Sequence, residues 1–172
     1  SDLRKYPDIP EEYVHVLPGI RGNVFKQCRE ELEKRKLETG ISEVNYETAM
    51  GRVYKKIARI AEVGEEKEFV EISRQIDIAV ETGCQYPDRR LIKQLEKLKQ
   101  QGKKIYIVSD YYLSAEEIRI FLRAADIKET IFDEILVSSD VGKRKATGEI
   151  YPYLLHELGY RAEHVLMIGD NK

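Results

Sequence analysis

An apolar run that ends in a hydroxyl and a carboxylate constrains this chain most. Residues 105–110 read Ile-Tyr-Ile-Val-Ser-Asp, and a helix start follows at Ser114. So short a run, rich in β-branched residues, is typical of a strand buried on both faces in a parallel sheet covered by helices. Functional groups in such sheets lie just beyond the carboxyl ends of the strands. Ser109 and Asp110 are expected at that position.

Two later segments repeat the pattern. Residues 134–138 and 164–168 predict further strands, which end in Ser139-Asp140 and Gly169-Asp170. Helical periodicity separates the strands, and the helix that precedes the first of them is expected to turn four apolar residues inward: Leu91, Ile92, Leu95 and Leu98. Strands that alternate with helices of about a dozen residues predict βαβ crossovers and an α/β fold with a parallel, Rossmann-like sheet.

The first half predicts helices alone. Prolines punctuate residues 1–20, where a short helix over 10–16 and a short strand over 13–17 fit equally well. Helices are expected from Asn23 to near Gly40, over 45–63 and over 65–82, each with one apolar stripe. Three such helices in a row predict a small bundle. The chain therefore divides into a helical part, 1–84, and an α/β part, 85–172.

Composition narrows the function classes. Charged residues make up 35% of the chain and the net charge is only −2, so neither a nucleic-acid partner nor an acidic tail is indicated. No apolar run reaches the length of a membrane span, and no signal peptide is evident. Cys28 and Cys84 are read as reduced thiols, Cys84 as a buried one, in a cytoplasmic protein. The three histidines lack a second ligand at zinc spacing. The oligomeric state stays open.

Several polar groups are expected to meet at one edge of the sheet. They are the three strand ends and a loop rich in glycine and lysine, residues 141–148. Hydroxyls and amides there can bind an oxyanion, lysines can balance its charge, and carboxylates can hold a cation. Hard oxygen ligands around a phosphate favour Mg²⁺. Such a set suits phosphoryl transfer, in which positioning and charge stabilisation dominate.

The arrangement resembles the haloacid dehalogenase-like superfamily, whose members are mostly Mg²⁺-dependent phosphatases with an aspartate nucleophile. The strand that ends in Ser109 resembles its second motif, Lys145 shortly before a helix its third, and Ile168-Gly169-Asp170 its fourth. The resemblance implies that Ser109 and Lys145 hold the phosphoryl group and that Asp170 binds Mg²⁺. Asp110 is expected either to contribute to phosphate binding or to be an ordinary turn acid. Asp140 is expected to be structural.

The resemblance extends to the domain plan and to partners. The helical first half resembles the cap that this superfamily inserts after its first motif. The stretches V-S-D-Y-Y-L, S-S-D-V-G-K-R-K-A-T-G-E-I-Y and I-G-D-N look like a bacterial subgroup that is often joined to glycosyltransferases. Two features differ from the family pattern: no Asp-x-Asp occurs in the 172 residues, and no second acid follows Gly-Asp-Asn. The core is therefore expected to be partial, without its central first strand, and the sequence an internal portion of a larger protein.

The main hypothesis is a Mg²⁺-dependent phosphatase that acts on a small phosphorylated metabolite in the complete protein. The alternative is a non-catalytic binding or assembly module of the same fold, which has lost the aspartate nucleophile. Haloacid dehalogenation is less favoured, since it needs no metal and the Gly-Asp end is retained. A dinucleotide-binding domain is disfavoured because no G-x-G-x-x-G follows a strand.

Overall fold

A computed structural model describes residues 15–169, apart from the side chain of Leu37. Three helices come first: α1 (Leu17–Thr39), α2 (Tyr46–Ile57) and α3 (Glu66–Cys84). Helices and strands then alternate: α4 (Arg89–Gln100), β1 (Tyr106–Ser109), α5 (Ala115–Ala124), β2 (Glu134–Val137), the one-turn α6 (Ser138–Val141) and α7 (Ile150–Leu158). Short 3-10 turns cover Glu129–Ile131 and Ala162–His164.

The two strands form a parallel pair. Their register sets Tyr106 opposite Glu134 and Ser109 opposite Val137. Parallel strands need a crossover connection, and α5 supplies it. The fold is therefore α/β with a small parallel sheet and an N-terminal set of helices, as the sequence predicts.

Local side chains set where several helices begin. The Asn45 side chain accepts a hydrogen bond from the Thr48 amide at the start of α2, and Asp88 does the same for two amides of α4. At α5, whose start the sequence predicts at Ser114, a capping box is present, with Ser114 and Glu117 bonded reciprocally. Each cap satisfies amides that the first turn of a helix leaves without an intrahelical acceptor.

Apolar side chains gather in two clusters. One lies among α1, α2 and α3, where Ala49 and Val53 are fully buried, and it also takes in Leu113 and Phe121 from the second half of the chain. The other surrounds the strands and includes Val137. Packing therefore crosses from the helical part to the α/β part near the end of β1. The division at residue 84 stays a prediction.

Two helix boundaries differ from the sequence prediction. Helix α1 begins at Leu17 rather than Asn23, because Pro18 falls in the first turn, where a missing N–H costs nothing. The alternative of a strand over 13–17 is wrong for its described part, and residues 1–14 lie outside the described range. Helix α2 ends at Ile57 instead of continuing to Val63.

The predicted third strand, over 164–168, is wrong. His164 ends a 3-10 turn, and residues 165–169 have no regular structure. A strand needs a hydrogen-bonded neighbour, and within residues 15–169 the segment has none. Leu166 is consequently 82% exposed.

Burial in the second half is less complete than the sequence predicts. All four residues of β1 are half-buried, because β2 is its one neighbouring strand among the described residues. In α4, Ile92 and Leu95 pack on the strand cluster, whereas Leu91 and Leu98 are exposed. Cys84 is also exposed, against the prediction of a buried thiol. No helix in the described range is both long enough and apolar enough to span a membrane.

Candidate functional site

The acid that follows β1 holds the lysine-bearing loop. Asp110 Oδ1 accepts a hydrogen bond from the Lys145 amide at 2.5 Å, and Oδ2 accepts one from the Ala146 amide at 3.0 Å. Asp110 also follows Ser109, the last residue of β1. Two segments that are 35 residues apart in the chain are thereby brought together, and Ser109 and Lys145 come to the same edge of the sheet.

The side chains of Ser109 and Lys145, unlike that of Asp110, make no polar contact in the described part of the chain. Within residues 15–169, neither the Ser109 hydroxyl nor the Lys145 ammonium has a hydrogen-bond or ion-pair partner. Both residues are half-buried. A donor and a cation are therefore available beside the Asp110 anchor, which is the chemistry that binds an oxyanion.

The end of β2 is bonded to the segment that follows β1. Ser138 is fully buried, and its hydroxyl accepts a hydrogen bond from the Tyr111 amide at 2.9 Å. Asp140 Oδ2 accepts one from the Ala115 amide, the first residue of α5, at 2.8 Å. Asp140 is therefore structural, as the sequence predicts. The acid after each strand binds amides that follow the other strand, so the two strand ends are fixed to each other.

The loop between α6 and α7 also contacts residues 36–42 of the helical part. Gly142 has a φ of +69°, and a Cβ there would approach Ile41 Cγ2 to 3.4 Å, so glycine suits both the backbone and the space. The Lys143 ammonium donates to the Gly40 carbonyl at 3.2 Å. The Thr147 hydroxyl foremost, with Ser42 and Lys36, keeps the pKa of Glu149 below its ordinary value. Glu149 is therefore an anion near neutral pH.

Two tyrosines, Tyr111 and Tyr112, follow Asp110 directly in the chain. Burial, followed by nearby acids, raises the pKa of Tyr111 and of Tyr112 well above the ordinary value. Both phenols stay protonated at neutral pH and so do not act as bases. The Tyr112 hydroxyl donates to Glu81 Oε1 at 3.0 Å, and the Arg21 guanidinium lies 5.6 Å from the centre of its ring.

A residue of the helical part also reaches the site, and sequence reasoning missed it. The carboxylate of Glu43, between α1 and α2, accepts a hydrogen bond from the Ser138 hydroxyl at 2.8 Å. It also lies 3.7 Å from Arg144 Nε. The sequence carries no signal for these contacts, because Glu43 is 95 residues from Ser138 and sits in a polar loop.

The described residues do not form a metal site. Residues 15–169 contain no group of three side chains among His, Cys, Asp and Glu that could hold an ion. Both oxygens of Asp110 are occupied by amides. Asp170, the predicted Mg²⁺ ligand, lies outside the described residues.

The structure therefore supports the predicted site residues to different extents. The structure brings Ser109, Asp110 and Lys145 to one edge, and their roles toward a phosphate stay predictions. Asp110 has a clear structural task, since it anchors the backbone of the loop.

Comparisons with known proteins agree with the resemblance seen in the sequence. The family model for haloacid dehalogenase-like hydrolases matches residues 7–172. A sesquiterpene phosphatase of Aspergillus oryzae is 30% identical over 89 residues, which are 52% of this chain and 44% of that protein. The matched part thus spans less than half the length of that relative.

A solved structure gives a weaker likeness. It is the crystal structure of a dehalogenase with an intermediate complex, at 19% identity and a TM-score of 0.45. The match covers 82% of this chain and 58% of that one. A similarity of this size supports no argument about function.

Proposed function

This chain belongs to the haloacid dehalogenase-like hydrolase family, and from that premise we propose that it is part of a Mg²⁺-dependent phosphatase. The substrate class is a small phosphorylated metabolite. The observation that supports the proposal most is the pair of hydrogen bonds from the Lys145 and Ala146 amides to Asp110. They hold the backbone of Lys145 beside the end of β1, whose last residue is Ser109. This is the carboxyl edge of the strands, where ligands of open α/β sheets bind.

Each residue has a specific task in the proposal. The Ser109 hydroxyl donates a hydrogen bond to an oxygen of the phosphoryl group. The Lys145 ammonium balances the charge of that group and of the attacking carboxylate. Fixed donors and cations of this kind stabilise charge where it develops in the transition state. No nucleophile is assigned among these residues, because the 172 residues contain no Asp-x-Asp.

The requirement for Mg²⁺ rests on the family and on Asp170. Asp170 lies outside the described residues, within which no group of three His, Cys, Asp or Glu side chains could hold an ion. A bound Mg²⁺ would supply further neutralisation of phosphate charge. The named activity of the Aspergillus relative adds support for a phosphatase, while its sesquiterpene substrate belongs to that protein.

The test uses the complete protein and a panel of phosphomonoesters, with Mg²⁺ and with excess chelator. We expect phosphate release that requires the metal. Lys145→Ala should lower kcat by about 100-fold to 1,000-fold, as loss of a preorganised charge-stabilising group does. Lys143→Ala is the matched control, and it should change kcat by less than about fivefold because exposed charge contacts contribute little.

Two results would count against the proposal. If no ester releases phosphate although inorganic phosphate still binds, the protein is the non-catalytic binding module. If Lys145→Ala and Lys143→Ala lower kcat equally, the assignment of Lys145 is wrong.

Partner and compartment are further parts of the proposal. Association with a glycosyltransferase domain is supported only by the resemblance of three sequence stretches, 108–113, 138–151 and 168–171, and co-purification of the two activities tests it. A cytoplasmic location is supported by the two unpaired cysteines. Cell fractionation tests it.

A further inference from the structure

The loop between α1 and α2, residues 40–45, lies against the segment that carries Lys145. We name residues 40–45 the bridging loop. The Ser42 amide donates to the Gly142 carbonyl at 2.7 Å. Beside this loop, Lys36 of α1 forms an ion pair with Glu149 at 3.2 Å. The helical part is therefore bonded to the segment between β2 and α7 at several points.

Glu43 makes the most buried of the charged contacts between these two segments. Its side chain is 9% exposed, and Oε2 accepts the hydrogen bond from Ser138 and faces Arg144 Nε at 3.7 Å. Its other oxygen, Oε1, accepts a hydrogen bond from the Val44 amide at 2.8 Å. A buried carboxylate is tolerated when its charge and lone pairs are satisfied in this way.

These contacts form a ring of hydrogen bonds, peptide bonds and one ion pair that includes the Lys145 backbone. From Glu43 the ring passes to the Ser138 hydroxyl, and from there to the Tyr111 amide at 2.9 Å. Tyr111 is joined by a peptide bond to Asp110, whose carboxylate holds the Lys145 amide at 2.5 Å. Lys145 is joined in turn to Arg144, which faces Glu43. Glu43 is the member of the ring that comes from the helical part.

The ring makes two independent connections to the Lys145 backbone. One runs through Ser138 to the strand end that bears Asp110, and the other through Arg144, the residue before Lys145. Loss of the Glu43 carboxylate weakens both at once, because Ser138 loses its nearer acceptor and keeps only the Tyr111 carbonyl at 3.3 Å, while Arg144 loses its counter-charge. A residue that only packed the interface would have no such specific effect on the two amides.

We propose that Glu43 is a positioning residue, which acts through Ser138 and Arg144 to hold the Lys145 loop against Asp110. Its consequence for catalysis rests on the proposed phosphatase activity, whereas its consequence for the loop does not. The helical part thereby contributes to the order of the lysine-bearing loop.

The first experiment measures amide hydrogen exchange of the full chain, residue by residue. In Glu43→Ala, exchange of the Lys145 and Ala146 amides should accelerate about tenfold, because a charged buried hydrogen-bond network has been broken. Amides in the middle of α1 and α3 should keep their rates. Glu43→Gln should give a smaller acceleration, since its amide oxygen still accepts from Ser138 but carries no charge for Arg144.

Glu31→Gln is the matched control. Glu31 also belongs to the helical part and pairs with an arginine, Arg52, at 2.7 Å, on an exposed face away from the loop. It should leave the exchange of the Lys145 and Ala146 amides unchanged. A folded Glu43→Gln and a folded Glu43→Ala protein that both keep the wild-type exchange at these amides would overturn the proposal.

The second experiment tests the route through Arg144. Arg144→Gln alone should also accelerate exchange at Lys145, and the double variant with Glu43→Gln should exceed the larger single effect by less than about twofold, because the two residues share one interaction. Fully additive effects would contradict the ring. With an active substrate in hand, Glu43→Gln should lower kcat more than it raises KM. Accelerated exchange in a protein without phosphatase activity would retain the positioning role and reject the proposed function.

Discussion

The two edges of the strand pair use acids in opposite ways. At the amino edge, Asp133 precedes β2, and its carboxylate binds two ammonium groups, Lys99 at 2.6 Å and Lys104 at 3.0 Å. It also accepts a hydrogen bond from the Ile105 amide at 2.8 Å. At the carboxyl edge, Asp110 binds backbone amides and no ammonium group within the described range.

The two edges differ in whether their lysines have an acidic partner. At the amino edge Lys99 and Lys104 are both paired with Asp133, so their ammonium groups already have a partner within the protein. At the carboxyl edge the acids satisfy amides, and the Lys145 ammonium is left without a partner in the described part of the chain. Both edges hold their strands together, but in the described range the carboxyl edge is bordered by a lysine whose ammonium has no partner, and this is the lysine that the proposed function assigns to a phosphate.

The largest expected effect comes from Asp110→Asn. The substitution keeps the size of the side chain but replaces one acceptor oxygen by a donor, which faces the amide of Lys145 or Ala146. The loop should shift, and a shift of about 1 Å lowers a rate by about 100-fold. Steady-state kinetics of phosphate release in the complete protein measures it. A rate close to that of the wild type would mean that the anchor does not control the lysine.

Ser138→Ala tests the bonding between the strand ends. It leaves the buried Tyr111 amide and the Glu43 carboxylate without their shared hydroxyl. The free energy of unfolding should fall by about 1–3 kcal/mol, the cost of buried polar groups without partners. Urea denaturation measures the loss. Ser139→Ala is the control, because this half-buried hydroxyl makes a single hydrogen bond to the Leu113 carbonyl and should cost less.

Asp140→Ala compares the second acid of the carboxyl edge with the first. Asp140 accepts from the Ala115 amide at the start of α5, so its removal should cost about 1 kcal/mol of stability, as loss of a helix cap does. The rate of phosphate release per folded molecule should stay the same. A loss of rate as large as that of Asp110→Asn would erase the proposed difference between the two acids.

The smallest effect is expected at the amino edge, where the contribution of Asp133 to the free energy of unfolding depends on pH. The hydrogen bond from Lys99 foremost, and those from Ile105 and Lys104, lower the pKa of Asp133 below its ordinary value. The folded pKa therefore lies below the unfolded one, near 3.9. The resulting stabilisation is present above pH 3.9 and is lost as the pH falls from there toward the folded pKa.

Asp133→Asn should accordingly be less stable than the wild type at pH 7 and approach it at low pH. The difference should be modest because Lys104 is 61% exposed and water screens its charge. Urea denaturation between pH 7 and pH 2 measures it. Glu134→Gln, which removes the charge of a neighbouring exposed acid, is the control for the loss of one negative charge beside β2. If the Asp133→Asn difference does not change with pH, the ion pairs contribute nothing.

Much of the fold could be predicted because its signals are local. The capping box of Ser114 and Glu117 joins residues three apart, and the structure contains it. The strands β1 and β2 were also predictable, since each has a short apolar run and a neighbour of the same kind. Residues 164–168 have the same apolar character but no neighbouring strand in the described range, so the prediction of a strand was wrong there.

The candidate site was predictable in part. Parallel strands expose their carboxyl ends at one edge, so the meeting of Ser109 with the lysine-bearing loop follows from strand order alone. The binding of both Asp110 oxygens to amides does not, because a carboxylate at a strand end can equally bind a cation, a ligand or a helix start. Cys84, Leu91 and Leu98 are more exposed than the sequence predicts. Periodicity indicates which face of a helix is apolar but not how much of that face the rest of the chain covers.

By itself, the amino-acid sequence determined the two paired strands, the helix starts at Asn45 and Ser114 and the residues that follow each strand, because these depend on side chains a few positions apart. The contacts of Glu43 with Ser138 and Arg144, and of Asp110 with Lys145, depend on the tertiary structure. Such pairs are dozens of residues apart, and a polar side chain takes the nearest partner that folding brings to it. That choice is made in three dimensions, after the elements have packed.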